Sequence, residues 1–114
     1  MNLFSWLLIG HLIGDFLLQT GWMAKKKTDN LAPLFFHCFV YTSVIYIVSI
    51  PAGGLKPLAL LAIFLAHLLL DQRKFTNFWV HNINNADGLQ WFYIVVDQCF
   101  HLLVLAVVAQ YLTG

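Results

Sequence analysis

Three histidine–aspartate pairs, each spaced four residues apart, lie inside the apolar runs of this sequence. The pairs are His11–Asp15 in HLIGD, His67–Asp71 in HLLLD and, in reversed order, Asp97–His101 in DQCFH. Residues four apart lie one above the other on a helix, so each pair presents a carboxylate and an imidazole on one face. If the last helix runs antiparallel to the other two, the reversed order brings all three histidines to one depth and the aspartates to another. His37, in the remaining apolar run, can join this layer.

A layer of imidazoles and carboxylates has the chemistry of a divalent-metal site. These ligands suit Zn, Mn and Fe, and the absence of aligned thiolates argues against a softer metal. Helix bundles with two metal ions use Glu-x-x-His pairs, so the shorter Asp side chains here require the helices to come closer. One tetrahedral ion takes about four ligands, which leaves enough candidates for one or two ions. We therefore predict a metal site formed by His11, Asp15, His37, His67, Asp71, Asp97 and His101.

The composition predicts that a lipid bilayer surrounds this layer. Of the 114 residues, 61% are hydrophobic and 10% are charged, whereas soluble domains have about 25% charged residues. An aspartate at the middle of a membrane helix raises the free energy of insertion by about 2.5–3.5 kcal/mol. The aspartates must therefore be paired, protonated or bound to a cation. The net charge of +1 and the small number of basic residues argue against a nucleic-acid partner.

The order of the apolar runs predicts an all-α fold, an integral membrane four-helix bundle in one domain over residues 1–114. The predicted spans cover residues 3–20, 31–50, 57–72 and 91–112, about the length that a bilayer requires. Residues 75–90 are too polar to cross. Because Phe75, Trp79 and Ile83 share one helical face, we predict a short helix lying in the membrane interface before the last span.

The basic residues predict the orientation of the spans. Lys25–Lys27 lie in the first loop with Trp22, and Arg73 and Lys74 follow the third span, whereas the second loop has only Lys56. Cytoplasmic loops are enriched in Lys and Arg, so we expect the first and third loops in the cytoplasm and both termini outside. The aspartates of the layer then lie within about one to two helical turns of the cytoplasmic end, and the histidines of the pairs about one turn deeper.

Gly10 and Gly14 in the first span form a small-xxx-small pair, which is typical of close helix packing. They lie beside the polar stripe that begins at His11 and extends to Gln19. Four short spans enclose little volume for a substrate. We therefore expect these glycines to form the contact of a homodimer.

Other residues indicate structural roles. Asp29 or Asn30 is predicted to cap the second span. Cys38 and Cys99 lie in apolar runs and are predicted to be small membrane-buried side chains, since a disulfide framework or zinc knuckle needs more cysteines at other spacings. The first apolar run has no basic segment before it and carries polar side chains, so we expect a retained span and not a cleaved signal peptide.

A metal ion at this depth indicates chemistry at the cytoplasmic surface of the membrane. An ion with an open coordination position lowers the pKa of its bound water to about 7, which makes hydroxide available. We predict a metal-dependent hydrolase of a lipid-linked or phosphoester substrate. Lys25–Lys27, Arg73 and Lys74 either hold its anionic head group or serve only to set the topology.

Three alternatives use the same residues differently. A divalent-metal or proton transporter, or a channel component, would use the intramembrane Asp and His residues as transit sites. A b-type haem bundle would need two axial histidines and no aspartate. In a purely structural polar core, the histidines and aspartates would only form hydrogen bonds with one another.

The candidate ligands lie in motifs with fixed neighbours. These are H-x-x-x-D-F-x-L-Q-T over residues 11–20, W-M-A-K over residues 22–25, the histidine near the start of the second span, H-L-L-x-D in the third and D-Q-x-x-H in the fourth. Together they resemble a bacterial membrane family catalogued as a domain of unknown function, number 3307 in that series. The resemblance covers essentially the whole chain and implies a small multi-pass protein of the bacterial inner membrane, without supplying an activity. The layout is also similar to the membrane-bound metal-dependent hydrolases of bacteria, which carry intramembrane His and Asp residues.

Overall fold

The computed structural model describes residues 2–18, 21 and 30–111, and within these ranges the chain is helical and has no strand. The elements in chain order are α1 (Leu3–Leu12), a first π-helical segment (Ile13–Leu17), α2 (Leu31–Ser49), a 3-10 turn (Ile50–Ala52), α3 (Pro57–Asp71), α4 (Lys74–Trp79), a second π-helical segment (Val80–Asn84) and α5 (Gln90–Tyr111). The all-α prediction is confirmed. The predictions for Gln19, Trp22, Lys25–Lys27 and Asp29 concern residues outside these ranges.

Within the residues that the structure describes, two stretches of helix are long and apolar enough to cross a membrane. Leu31–Ala52 and Gln90–Tyr111 each have 22 residues, which at about 1.5 Å per residue matches the roughly 30 Å of a bilayer core. Leu3–Leu17 and Pro57–Asp71 are apolar but shorter. These four stretches lie within or close to the predicted spans, and a bundle in which all four cross the membrane stays a prediction.

The four longer helices pack side by side in a ring. α1 contacts α2, α2 contacts α3, α3 contacts α5, and α5 returns to α1, while α4 contacts both α3 and α5. Part of the interior is an apolar cluster that includes Leu7, Ile63 and Leu105. Each of these residues lies four positions from a histidine of the polar layer. The apolar cluster and the polar layer are therefore about one helical turn apart inside the ring.

Gly10 and Gly14 bring α1 close to α2 within one chain. A Cβ atom at Gly10 would lie 2.5 Å from Cγ2 of Val48, and one at Gly14 would lie 3.2 Å from Cα of Tyr41. The expected close packing is present, but its partner is α2. A contact of these glycines with a second chain, and the homodimer itself, stay predictions.

The residues at the helix ends differ in whether their side chains cap the helix. Asn2 caps α1, because its Oδ1 accepts a hydrogen bond from the backbone N–H of Ser5 at 2.9 Å. Asn30 precedes α2 in an extended conformation, but its side chain makes no capping hydrogen bond, so its predicted role is wrong. Gly53 and Gly54 lie between α2 and α3 and have φ angles of +106° and +77°. Positive φ angles favour glycine because it lacks a Cβ atom.

α4 and the second π-helical segment occupy the region where a short helix is predicted. The rings of Phe75 and Trp79 lie 4.8 and 5.2 Å from that of Phe100 on α5, measured between centroids. Ile83, predicted to share their face, lies in the second π-helical segment and is 56% exposed. The position of this element in a membrane interface stays a prediction.

The cysteines differ in their surroundings. Cys38 is buried inside the protein, whereas Cys99 is exposed on α5, and the two are not joined by a disulfide. Burial within the protein is therefore correct only for Cys38. Cys99 would be buried only by a surrounding bilayer.

Candidate metal centre

All the predicted ligands lie in one buried layer inside the ring of helices. Each has a relative exposure of at most 3%. The side chains of each i, i+4 pair approach to 3.8 Å or less. α1 and its π-helical extension, α2, α3 and α5 all contribute, and the residues are His11, Asp15, His37, His67, Asp71, Asp97 and His101.

The first group that could hold a metal ion consists of Asp15, His37, His67 and Asp71. Nε2 of His37 lies 2.9 Å from an oxygen of Asp15, 2.9 Å from an oxygen of Asp71 and 3.0 Å from Nε2 of His67. Nε2 of His67 lies 3.1 Å from Asp71 and 3.5 Å from Asp15. Ligand atoms at about 2.0–2.1 Å from a tetrahedral ion are about 3.3–3.4 Å apart. The spacing in this group is therefore close to that of a tetrahedral site.

Hydrogen bonds alone do not account for this group. Nε2 of His37 carries at most one hydrogen, yet two carboxylate oxygens and Nε2 of His67 lie within 3.0 Å of it. Two buried carboxylates so close together must be neutralised, either by a proton or by a positive charge beside them. A protonated imidazole supplies that charge but only one hydrogen at this nitrogen. A divalent cation would supply the charge, and all four residues offer a ligand atom to it.

Asp71 is shared with a second group. Its Oδ2 lies 2.9 Å from Nε2 of His37 and 3.1 Å from Nε2 of His67, whereas its Oδ1 lies 3.1 Å from Nε2 of His101. Asp71, Asp97 and His101 form the second group that could hold a metal ion. One carboxylate therefore has its two oxygens directed at two different sets of ligands, as a carboxylate bridging two ions does.

The second group has its ligands oriented by neighbouring atoms. Nδ1 of His101 donates to the backbone carbonyl of Asp97 at 2.7 Å, which in a neutral imidazole leaves the lone pair on Nε2. Metal-binding histidines have this arrangement, with the other nitrogen donating to an acceptor that fixes the ring. The carboxylate of Asp97 accepts a hydrogen bond from Oγ1 of Thr76 at 3.1 Å. α4 therefore helps to position a candidate ligand on α5.

His11 lies outside both groups. Its Nδ1 is 2.8 Å from the hydroxyl of Tyr41, and its Nε2 donates to Oε1 of Gln98 at 2.6 Å. The amide nitrogen of Gln98 in turn lies 3.4 Å from Asp15. Both nitrogens of His11 are thus occupied by protein atoms, so its predicted role as a metal ligand has no support from this geometry.

Sequence reasoning missed several residues that hold the ligands in place. Tyr41 stacks on His67, with ring centroids 3.8 Å apart and an interplanar angle of 9°. Its signal is the spacing of four from His37, and that of Gln98 is its place beside Asp97 in D-Q-x-x-H. Thr76 has no such signal.

The π-helical form of the segment Ile13–Leu17 was also not predicted. Asp15 lies within it. Short π-helical segments inside or at the end of α-helices are frequent at functional sites. The segment sets the position from which this carboxylate reaches His37.

The family assignment follows from comparison of the sequence with known proteins. The model of the family described as "Protein of unknown function (DUF3307)" matches residues 3–114. The chain belongs to this family. No curated protein and no solved structure matches it. The resemblance of its motifs to DUF3307 is therefore confirmed, whereas the similarity to membrane-bound hydrolases stays a prediction.

Proposed function

We propose that this DUF3307 chain is a four-helix membrane protein that holds two divalent metal ions and hydrolyses a lipid-linked phosphoester. The observation that carries the proposal is the position of Asp71, whose oxygens face two sets of candidate ligands. Sites with two ions about 3.5–4 Å apart catalyse phosphoester hydrolysis by stabilising both the attacking and the leaving oxygen. A shared carboxylate is the feature that such a pair requires.

The distribution of side chains supports a membrane location. The buried layer is polar, whereas the outward faces carry large apolar side chains that are each more than half exposed, including Phe39, Leu58, Leu69 and Leu103. A soluble helical protein has the opposite distribution. In a bilayer these outward faces contact lipid, and local thinning of the bilayer accommodates the shorter helices α1 and α3.

The chain's own residues supply what the reaction requires. Asp15, His37, His67 and Asp71 would hold one ion, and Asp71, Asp97 and His101 the other. Bound Zn, Mn or Fe would polarise the phosphoryl group and activate water. A cavity of about 10 Å³ lies beside His67 and His101, which is about the space that one water molecule needs. Ile63, Val104 and Leu105 also line it, so part of its wall is apolar.

Transport of protons or of a divalent metal is the second candidate. Ion-pair contacts run from Asp15 through His37 and Asp71 to His101 and Asp97. A continuous series of this kind can act as a relay inside a membrane. Haem has no comparable support, since neighbouring imidazole centroids are 4.9 and 4.8 Å apart and leave no room for a porphyrin between the rings.

Measurement of metal content in three matched variants tests the two-ion site. We expect the wild type to bind two ions, Asp15→Asn and Asp97→Asn to lose one each, and Asp71→Asn to lose both, because only Asp71 serves both groups. Asp87→Asn, which changes an exposed aspartate outside the layer, should keep both ions. Elemental analysis of protein purified in detergent gives the stoichiometry.

Other results would contradict the proposal in distinct ways. A metal-free protein that gains no thermal stability from Zn, Mn or Fe, and that is stabilised by Asp71→Asn, would indicate a structural polar core. Hydrolysis requires turnover of a lipid-linked phosphoester that a chelator abolishes and added metal restores. Metal or proton flux in sealed vesicles without turnover would indicate transport.

A further inference from the structure

A second group of polar side chains lies outside the metal centre, in a cleft where α4 and its π-helical extension meet the start of α5. The cleft has a volume of about 530 Å³. Most of its lining is polar, and the residues that matter here are Arg73, Asn77, His81, Asp87, Gln90 and Tyr93. Nothing in the proposed metal chemistry uses them.

Asp87 orients the imidazole of His81 in this cleft. Nδ1 of His81 donates to Oδ2 of Asp87, and the hydroxyl of Tyr93 donates to Oδ1 of the same carboxylate at 3.1 Å. The charge of Asp87 is thus met by two donors. Nε2 of His81 has no hydrogen-bond partner within the part of the chain that the structure describes, so it is available to a ligand in the cleft.

Arg73 supplies the positive charge of the cleft. Its backbone has φ = +62°, a conformation that is uncommon for residues other than glycine. Its Nε atom is buried without a hydrogen-bond partner among the described residues, and such atoms in native proteins call for an explanation. A strained backbone that holds an unsatisfied guanidinium nitrogen is typical of a ligand-binding position.

The cleft begins just beyond the end of α3, which carries Asp71. Arg73 follows Asp71 by two residues. Trp91, beside the cleft at the start of α5, is 60% exposed, as expected for a tryptophan at the level of lipid head groups. A group bound by Arg73 would therefore lie near the end of α3, where Asp71 is a candidate ligand.

We propose that this cleft binds the phosphate group of a phosphoester, with Arg73 as its main contact and His81, oriented by Asp87, as a second. Guanidinium matches the planar, paired oxygens of phosphate. The proposal rests on the proposed hydrolase function in that it assigns the substrate's phosphate a binding site.

Calorimetric titration of the chain in phosphate-free maltoside detergent tests this assignment. The probes are dihexanoyl phosphatidic acid, inorganic phosphate and dihexanoyl glycerol, which lacks the phosphate. Arg73→Gly is the main variant, because glycine accepts φ = +62° and the fold is not strained by the change. Lys74→Gln is the matched control, since Lys74 lines a separate apolar groove between α3 and α5.

We expect phosphatidic acid to bind the wild type and Lys74→Gln equally, and Arg73→Gly about 10- to 100-fold more weakly. His81→Gln should weaken binding about tenfold. Competition by inorganic phosphate at equal affinity would identify phosphate itself as the ligand, and tighter binding of phosphatidic acid would identify a lipid head group. Both results support phosphate binding in the cleft.

Three outcomes would overturn the assignment: binding unaffected by Arg73→Gly, equal loss in Lys74→Gln, or equal binding of dihexanoyl glycerol. The titrations are repeated on chelator-treated protein, in which the Arg73-dependent binding should persist. If the chain holds no metal but binds phosphatidic acid in an Arg73-dependent way, the phosphate site in the cleft is supported and the proposed metal centre is contradicted. If the chain holds two ions and its binding of phosphatidic acid does not depend on Arg73, the metal centre is supported and the phosphate site in the cleft is contradicted.

Discussion

The layer histidines differ in what their ring nitrogens contact, and this predicts different effects of substitution. Because Gln98 and Tyr41 occupy both nitrogens of His11, His11→Gln should keep the metal stoichiometry and lower the affinity by about 10–100-fold, as for residues that orient ligands. His37→Gln should lose an ion. Competition with a chelator of known affinity measures both. Loss of an ion in His11→Gln would make His11 a ligand, as the spacing alone predicts.

Proton competition gives a second prediction for the ligand residues. A histidine binds metal through an unprotonated nitrogen, so metal affinity should fall as the pH is lowered and protons should be released on binding. Equilibrium dialysis across the range from about pH 8 to about pH 5, where free imidazole titrates, measures this effect. Asp87→Asn should follow the wild-type curve. Metal content that does not change with pH would argue against imidazole ligands.

The sequence was sufficient to identify the layer residues but not their division into groups. Spacing of four, together with reversal of the last pair, predicts that His67, Asp71 and His101 approach one another, and they do. The bridging position of Asp71 depends on distances between helices, which no local pattern encodes. The same holds for Thr76, whose hydrogen bond to Asp97 joins residues 21 positions apart.

Among the helices, the contact between α1 and α2 decides whether Asp15 reaches His37. Gly14→Ala would place a methyl group 3.0 Å from the ring of Tyr41, so we expect a loss of about 1–3 kcal/mol in stability and weaker metal binding. Gly21→Ala is the control, because its methyl group would meet no atom of the described residues within 4 Å. Thermal unfolding with and without added metal measures both variants, and equal behaviour of the two would contradict the packing argument.

Helix boundaries were more predictable than helix type. The apolar runs and the breakers from Pro51 to Pro57 indicate where α2 ends and α3 begins. The π-helical segments Ile13–Leu17 and Val80–Asn84 could not be predicted, because no pattern of residue types in the sequence distinguishes them from an α-helix.

The orientation of the whole molecule in a membrane is a further prediction. In a variant without Cys38 and Cys99, a cysteine replacing Asn84 should react with a thiol reagent from the cytoplasmic side, and one replacing Lys56 from the outer side, because basic residues follow α3. Both positions are exposed, whereas Thr76 in the same region is buried and unsuitable. The reverse labelling pattern would put the metal layer near the outer face.

The parallel stacking of Tyr41 on His67 has a spectroscopic consequence for the intact protein. The tyrosine ring lies flat against the imidazole at 3.8 Å, so the carbon-bound protons of His67 fall in the shielding region of an aromatic ring current. Their magnetic resonance should appear upfield of the other histidine signals and should broaden or shift when a metal ion is added. The signals of His67, in protein without any substitution, would then report directly whether a metal ion is bound.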